Sequence, residues 1–503
     1  MSSGDRSDIT LLSELDVPEA SRNTFFAILG LGLAFDIAFN GQRPGLSLPL
    51  FTLLLGLSIR TVARRSIETD LLLGSAVLLS VFPALRASEP LVAVDVLAIA
   101  AMFALAVTQD LGSLLSASVV GLVLRGFALL SRTLAVPRFL AAPLRVDRER
   151  GRTSAILRTV AITVPVLVLF ASLLASGDRV FARFLDSILP EWNAPNILAH
   201  VVLTVVGSVL VAILWRNAIG SGAEPEPERE RRVTELLGPS DWITVVAGID
   251  LLFAAFVIVQ LRYLFGGAGR VLVTPGLTYA EYARTGFLQM AVAAGLTVLV
   301  ILAVWDAGVR MSREHDRWFR GLVTAMVGLT FVVLASALKR LALYEGTFGF
   351  TINRFFGYVA IASIGAVLVV LILGIWMKRR DRVVAGFLLV GLVALMTVNV
   401  LSPDRFVVER NAARYRATGR IDTAYLIESL GSDAAPAIVA IMRTLPPVEA
   451  DALRSGLCTQ LSELGPEPSW RSVNLGRARA RAALESAGVT VAFCDRSFAA
   501  RAG

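Results

Sequence analysis

The chain has 503 residues and a formal charge of +8, with 55% hydrophobic and only 17% charged residues. Ordinary soluble domains carry about a quarter charged residues, so this composition excludes a soluble enzyme and indicates a polytopic membrane protein. Nucleic acid is excluded as a partner, because the basic residues lie between apolar blocks rather than on one face or in one tail. Of the 48 basic residues only Lys339 and Lys378 are lysines, a chain-wide bias that fits a GC-rich genome better than phosphate recognition.

Residues 1–22 carry five acidic residues against Arg6 and Arg22 and read as a cytosolic tail leading into an uncleaved first span. Apolar segments at 24–40, 45–59, 71–85 and 91–108 make residues 23–110 a unit of about four spans. The next apolar stretch, 111–130, holds Arg125 among Gly and Ser and runs into the basic string SRTLAVPRFLAAPLR. If it spanned, the basic connector of Arg60, Arg64 and Arg65 would face the opposite side from the basic stretch 132–158, against the positive-inside rule. Residues 111–158 are therefore expected to be an interfacial or re-entrant cytosolic segment, its arginines reaching toward headgroups. Segments 159–176, 197–215, 242–264, 286–306, 322–338, 355–377 and 384–401 then give residues 159–401 about seven spans, with the N-terminus inside and the C-terminus outside.

After Leu401 no apolar run is long enough to span, and residues 402–503 read as a separate extracytoplasmic helical domain. Asp422 before AYLIESL, then Gly431 before DAAPAIVAIM, gives a capped helix, a stop and a second helix, the unit that HEAT-like repeats stack. Further helices are expected near 405–417, 447–463 and 474–487, as a small bundle or a short solenoid. The expected fold is thus all-α: a transmembrane bundle of about eleven spans with a small C-terminal extracytoplasmic domain.

Several strings assigned to the outer face or the tail are distinctive: GDRVFARFLDSILP, YLFGG, LTYAEYARTGFLQM, FGFTINRFF, RNAARYRATGRIDTAYLIESLGSDAAPAI and SWRSVNLGRARARAAL. In order and setting they resemble the bacterial membrane proteins of domain-of-unknown-function family 4173, with its relative 4153. The resemblance covers about residue 155 to the C-terminus; the first 150 residues match only as generic spans. It implies a bacterial cytoplasmic membrane and brings no reaction.

No G-x-x-x-x-G-K-[ST], G-x-S-x-G or H-E-x-x-H occurs, and the two histidines, His200 and His315, are too few for a typical zinc site. No metal, cofactor or catalytic residue is assigned. Carboxylates within apolar segments are costly and usually have a reason. Asp95 and Asp306 lie near block ends and are expected to reach water, whereas Asp36 and especially Asp250 are candidate intramembrane carboxylates. Asp250 is either a proton- or ion-coupling group or half of an interhelical hydrogen bond.

In the stretch 277–290, Tyr279, Tyr282 and Gly286 form one helical stripe and Glu281 can pair with Arg284. It is either an aromatic belt anchor or part of an outer-face groove. In the second reading Tyr279, Glu281, Tyr282 and Arg284 meet Asp178, Arg179 and Arg183 from one loop and Tyr344, Glu345, Asn353 and Arg354 from another. Such a groove would hold a lipid headgroup, an envelope protein or the chain's own tail. Cys458 and Cys494, the only cysteines, fall in the tail and are expected to form a disulfide if it is exported, or else to remain buried thiols. An envelope binding or scaffold protein is the leading expectation. A transporter or lipid-handling permease, and a membrane-embedded enzyme on a lipid-linked substrate, are its rivals.

Overall fold

A computed structural model describes residues 20–141, 194–220, 239–264, 287–307, 313–465 and 469–502, with scattered positions between 163 and 184. Among the described residues every regular element is helical. The first group comprises α1 (Arg22–Phe39), α2 (Ser47–Val62), α3 (Ile67–Ser80), α4 (Glu89–Val107), α5 (Val119–Thr133), α6 (Val136–Ala141) and α7 (Ala194–Ile219). The second comprises α8 (Pro239–Leu264), α9 (Phe287–Ala307), α10 (Arg313–Phe348), α11 (Ile352–Trp376) and α12 (Val383–Leu401). The tail carries α13 (Pro403–Thr418), α14 (Thr423–Glu428), α15 (Ala435–Met442), α16 (Pro447–Leu464), α17 (Leu475–Ser486) and α18 (Val491–Ala502).

Local sequence sets several helix starts. Ser21 accepts from the Thr24 N–H before α1, Ser66 from the Thr69 N–H before α3, and Thr351 from the Arg354 N–H before α11. Each cap satisfies a main-chain donor that the first helical turn leaves without a partner.

Eight described helices are long and apolar enough to cross a membrane, so the protein is a multi-pass membrane protein in build. Helix α2 has 16 residues and, at about 1.5 Å per residue, falls short of a ~30 Å hydrocarbon core. The apolar stretch Gln289–Trp305 within α9 is likewise shorter, and the expected span at 159–176 lies mostly outside the described residues. Among the described residues eight helices are thus of full length, and the expected count of about eleven is not shown. Residues 109–118 form two 3-10 turns leading into the 15-residue amphipathic α5. Large apolar side chains are well exposed on the outer surface of the bundle, including Leu97 at 70% and Leu251 at 74%. This is a surface for lipid tails rather than water.

The apolar interior falls into three clusters. One joins α1–α4 to α6 and α7, and a second joins α8–α12. The third unites the tail helices with Leu91 of α4, Phe350, Phe355 of α11 and Val398 of α12. The tail therefore shares its core with the ends of the spanning helices, where the sequence suggested a separate unit. Part of the apolar surface against which its short helices pack is supplied by the bundle.

Candidate functional site

Three connections of the bundle gather at one end, each bonded to the tail through groups that a loop would otherwise leave without partners. At the α1–α2 connection, Leu46 N–H donates to the Val473 carbonyl at 3.0 Å. Arg477 donates to the Pro44 carbonyl at 3.0 Å, and Arg43 reaches the Glu463 carbonyl at 2.6 Å. At the α3–α4 connection, the Asn474 amide donates to the carbonyls of Pro83 and Arg86 at 2.8 and 2.7 Å. At the α10–α11 turn, Asn411 of α13 pairs with both main-chain groups of Phe350. It accepts from the N–H at 3.0 Å and donates to the carbonyl at 2.7 Å, while the Tyr425 hydroxyl accepts from Ile352 N–H at 2.8 Å.

Two glycines mark how closely the parts approach. A side chain at Gly476 would place its Cβ 2.5 Å from Asp433 Oδ1 and 2.9 Å from the Ala87 nitrogen. Gly349 ends α10 with φ +83° and lies directly against Asn411, a conformation that favours glycine.

Asp433 and Asp404 lie at the centre of this seam. Asp433 Oδ2 accepts from the N–H groups of Ala87 and Ser88 at 2.9 and 3.3 Å, capping the chain as it enters α4. Asp404 accepts from Gly431 N–H at 3.0 Å. Burial pushes both carboxyls above their ordinary range, although the main-chain N–H bonds pull each the other way. Arg86 donates to the carbonyls of Asn399 and Val400 at 2.7 and 3.0 Å, tying the end of α12 to the same junction. Two cavities flank the carboxylates: one of about 810 Å³ beside Arg86 and Asp433, and one of about 400 Å³ beside Asp404 and Arg477.

The expected groove residues separate. Arg354 is buried, stacks 4.1 Å above the Tyr344 ring and donates to the Gly349 carbonyl. Glu345 accepts from the Tyr358 hydroxyl at 2.7 Å and pairs with Arg410 of the tail at 3.4 Å. Tyr344, Glu345 and Arg354 thus meet at the α10–α11 turn, against the tail, while Asn353 is exposed. Asp178 accepts from Phe181 N–H at 3.2 Å and Arg183 is exposed. Arg179, Tyr279, Glu281, Tyr282 and Arg284 lie outside the described residues. Sequence reasoning missed Asp404, Asp433, Arg86 and Asn474, although the strings it singled out contain Asn411, Tyr425, Asp433 and Asn474.

Within the spans, Asp36 is buried and accepts from Asn40 at 3.2 Å and pairs with His200 Nδ1 at 2.7 Å, joining α1 to α7. Asp250 is buried in α8, and neither carboxylate oxygen has a hydrogen-bond partner among the described residues. Asp95, expected to reach water, is instead fully buried and accepts from the Asn399 amide at 2.7 Å. A polar partner across α4 and α12 replaces the solvent that block position alone suggested. In the tail, Cys458 of α16 and Cys494 of α18 are joined by a disulfide, with Cα atoms 5.4 Å apart. No group of three or more His, Cys, Asp and Glu side chains that could hold a metal ion occurs among the described residues.

Residues 73–441 match the profile of a domain of unknown function, DUF4153. The chain belongs to the DUF4153 family. The family shown is 4153; family 4173 is not. The DUF4153 match begins within α3, well before residue 155 where the resemblance was expected to start, and ends within α15. It therefore takes in Arg86, Asp404, Asn411 and Asp433 together with the spans from α4 to α12, and leaves out α1, α2, Asn474 and both cysteines. No curated protein and no solved structure matches the chain.

Proposed function

We propose that this DUF4153 protein is a cell-envelope binding or scaffold protein of the bacterial cytoplasmic membrane, whose working surface is the extracytoplasmic seam between tail and bundle. The observation that carries this reading is the seam itself: one side of a largely main-chain-to-side-chain junction bears two cavities and the only carboxylates buried in the tail among the described residues. A tail that only covered the helix ends would have no need of cavities of that size. The outward placement is supported by the Cys458–Cys494 pairing, since disulfides persist in oxidising compartments. It is also supported by the arginine-rich connectors at the other end. The bilayer is the first partner, and a lipid headgroup or an envelope protein at the seam is the second.

The reading predicts that a strain relying on Asp433→Ala or on a chain ending at residue 402 loses the protein's in-cell role equally. Arg60→Ala, at the opposite end, should retain it. Full complementation by the tail-less chain would overturn the proposal. The transporter reading has one observation in its favour, the unpartnered Asp250 carboxylate among the described residues. It predicts that Asp250→Asn abolishes that role while the tail stays docked.

A further inference from the structure

The larger seam cavity has a chemistry that the docking of the tail does not use. Its charged lining is Arg86, Arg405, Arg416 and Arg479 against Glu409 and Asp433. Glu409 is engaged by Arg405 at 2.7 Å, and Asp433 by the main-chain N–H groups of Ala87 and Ser88. Arg416 and Arg479 make no hydrogen bond or ion pair among the described residues. Burial, and then the nearby Arg479 and Arg405, hold the Arg86 guanidinium below its ordinary range against the pull of Asp433. Like charges gathered around one cavity repel unless an anion completes them. Guanidinium groups suit phosphate in particular, because their planar donors match its oxygens in pairs.

The rest of the lining is apolar. It includes Val408, Ala437, Ala440, Ile441 and Leu85. Val400 and Leu401, 66% and 44% exposed, end the spanning helix α12 beside Ser402 of the lining. The cavity thus lies next to the end of a spanning helix whose last residues are exposed and apolar. Its volume of about 810 Å³ lies within the ~300 to 1,000 Å³ of small-molecule sites.

We propose that this cavity binds a phosphate-bearing lipid of net negative charge, with Arg479 and Arg416 as the principal anion contacts, Arg86 behind them and the acyl part as the apolar portion, because a choline ammonium would meet the same arginines as a like charge. This rests on the seam being extracytoplasmic and functional, and names the ligand class for it. Arg86 is already committed through its Nε and one Nη to the end of α12, so it contributes charge and any N–H left over. The two exposed arginines supply the adjustable donors.

The test uses the full chain in detergent, with native mass spectrometry reading bound ligand. The probes are short-chain phosphatidylglycerol, short-chain phosphatidylcholine and inorganic phosphate. One phosphatidylglycerol per chain should be retained, at about ten-fold tighter apparent affinity than phosphatidylcholine. Arg416→Glu with Arg479→Glu should remove that preference, whereas Arg60→Glu should leave it intact. Displacement of the lipid by inorganic phosphate at similar concentration would assign the site to free phosphate; lipid retention against it would assign the site to the headgroup. Equal retention of both lipids by the wild type, or an unchanged preference in the double variant, would overturn the proposal. Protease protection of the tail, read on the same variants, separates this from the docking surface. A double variant that loses the lipid with its tail still protected has lost the ligand site alone, and a released tail is answered by repeating the assay with Arg479→Gln, which removes one charge without reversing it.

Discussion

The two ends of the bundle are held by different chemistry. At the tail end, side chains from one part satisfy main-chain groups of the other, as with Asn411 on Phe350 and Asn474 on Pro83 and Arg86. At the opposite end, guanidinium–carboxylate pairs take a larger part, Arg60 with Asp70, Arg132 with Asp110 and Arg320 with Asp316, beside buried Arg125, which donates to the carbonyls of Thr108 and Gly112. Of those pairs only Arg132 is nearly buried. A buried main-chain group that loses its partner costs about 1 to 3 kcal/mol, whereas an exposed ion pair contributes about 0 to 1 kcal/mol. The bonds of the tail seam are therefore costly to break, whereas an exposed pair such as Arg60 with Asp70 is tolerant.

The largest expected effect is on Gly476→Val, which forces a side chain against the Ala87 nitrogen and the Leu85 carbonyl. Main chain cannot yield as a flexible side chain can, so a loss of about 3 kcal/mol is expected, read as faster proteolysis of the tail. Gly74→Val, on a surface of α3 with nothing within 4 Å, should leave proteolysis unchanged. Equal behaviour of the two would mean that the seam does not hold the tail.

Cys458→Ser with Cys494→Ser opens a loop of 36 residues and should cost the tail about 2 to 4 kcal/mol. Thermal unfolding followed by tail proteolysis should shift while the spans keep their helical signal. A coincident shift of both would show that tail and bundle unfold as one unit. Asn411→Ala leaves the N–H and carbonyl of Phe350 without their partner and is expected to cost about 2 kcal/mol, again read at the tail.

The carboxylates sharpen the comparison by pH. Asp404 and Asp433 have folded pKa values raised by burial, so the folded seam binds their protons more tightly than the unfolded chain does. The stability this adds is fully present below the unfolded pKa of about 3.9 and is lost as pH rises through the raised folded values. Tail protection should therefore weaken from acidic toward neutral pH. Asp404→Asn with Asp433→Asn should flatten that dependence. Protection that instead strengthens with pH would show that the carboxylates hold the seam as anions. The smallest effect is expected for Arg60→Ala: about 0.5 kcal/mol or less, consistent with a partly exposed pair.

Much of the bundle was legible in the residues, because hydrocarbon imposes a rule that acts locally: a span needs a long apolar run and satisfies its own main chain. That is why segments such as 355–377 and 384–401 reappear as α11 and α12. Asp422 likewise caps α14 through the Tyr425 N–H at 3.0 Å. The seam was only partly legible. The tail strings held Asn411, Tyr425 and Asp433, yet nothing in them said that Asp433, read as part of a helix start, would cap residues 87 and 88 instead.

The sequence by itself determined the all-helical membrane build, the apolar runs and the single pairing open to two cysteines, since each follows from composition or short-range spacing. The tertiary structure alone decided which carboxylates became buried, that Asp95 met Asn399 rather than water, and that the tail joined its core to the bundle. Those outcomes depend on residues such as Ala87 and Asp433, 346 positions apart. No periodicity reaches that far: the bond forms only once packing has brought the two helix ends together and excluded the water that would otherwise satisfy them.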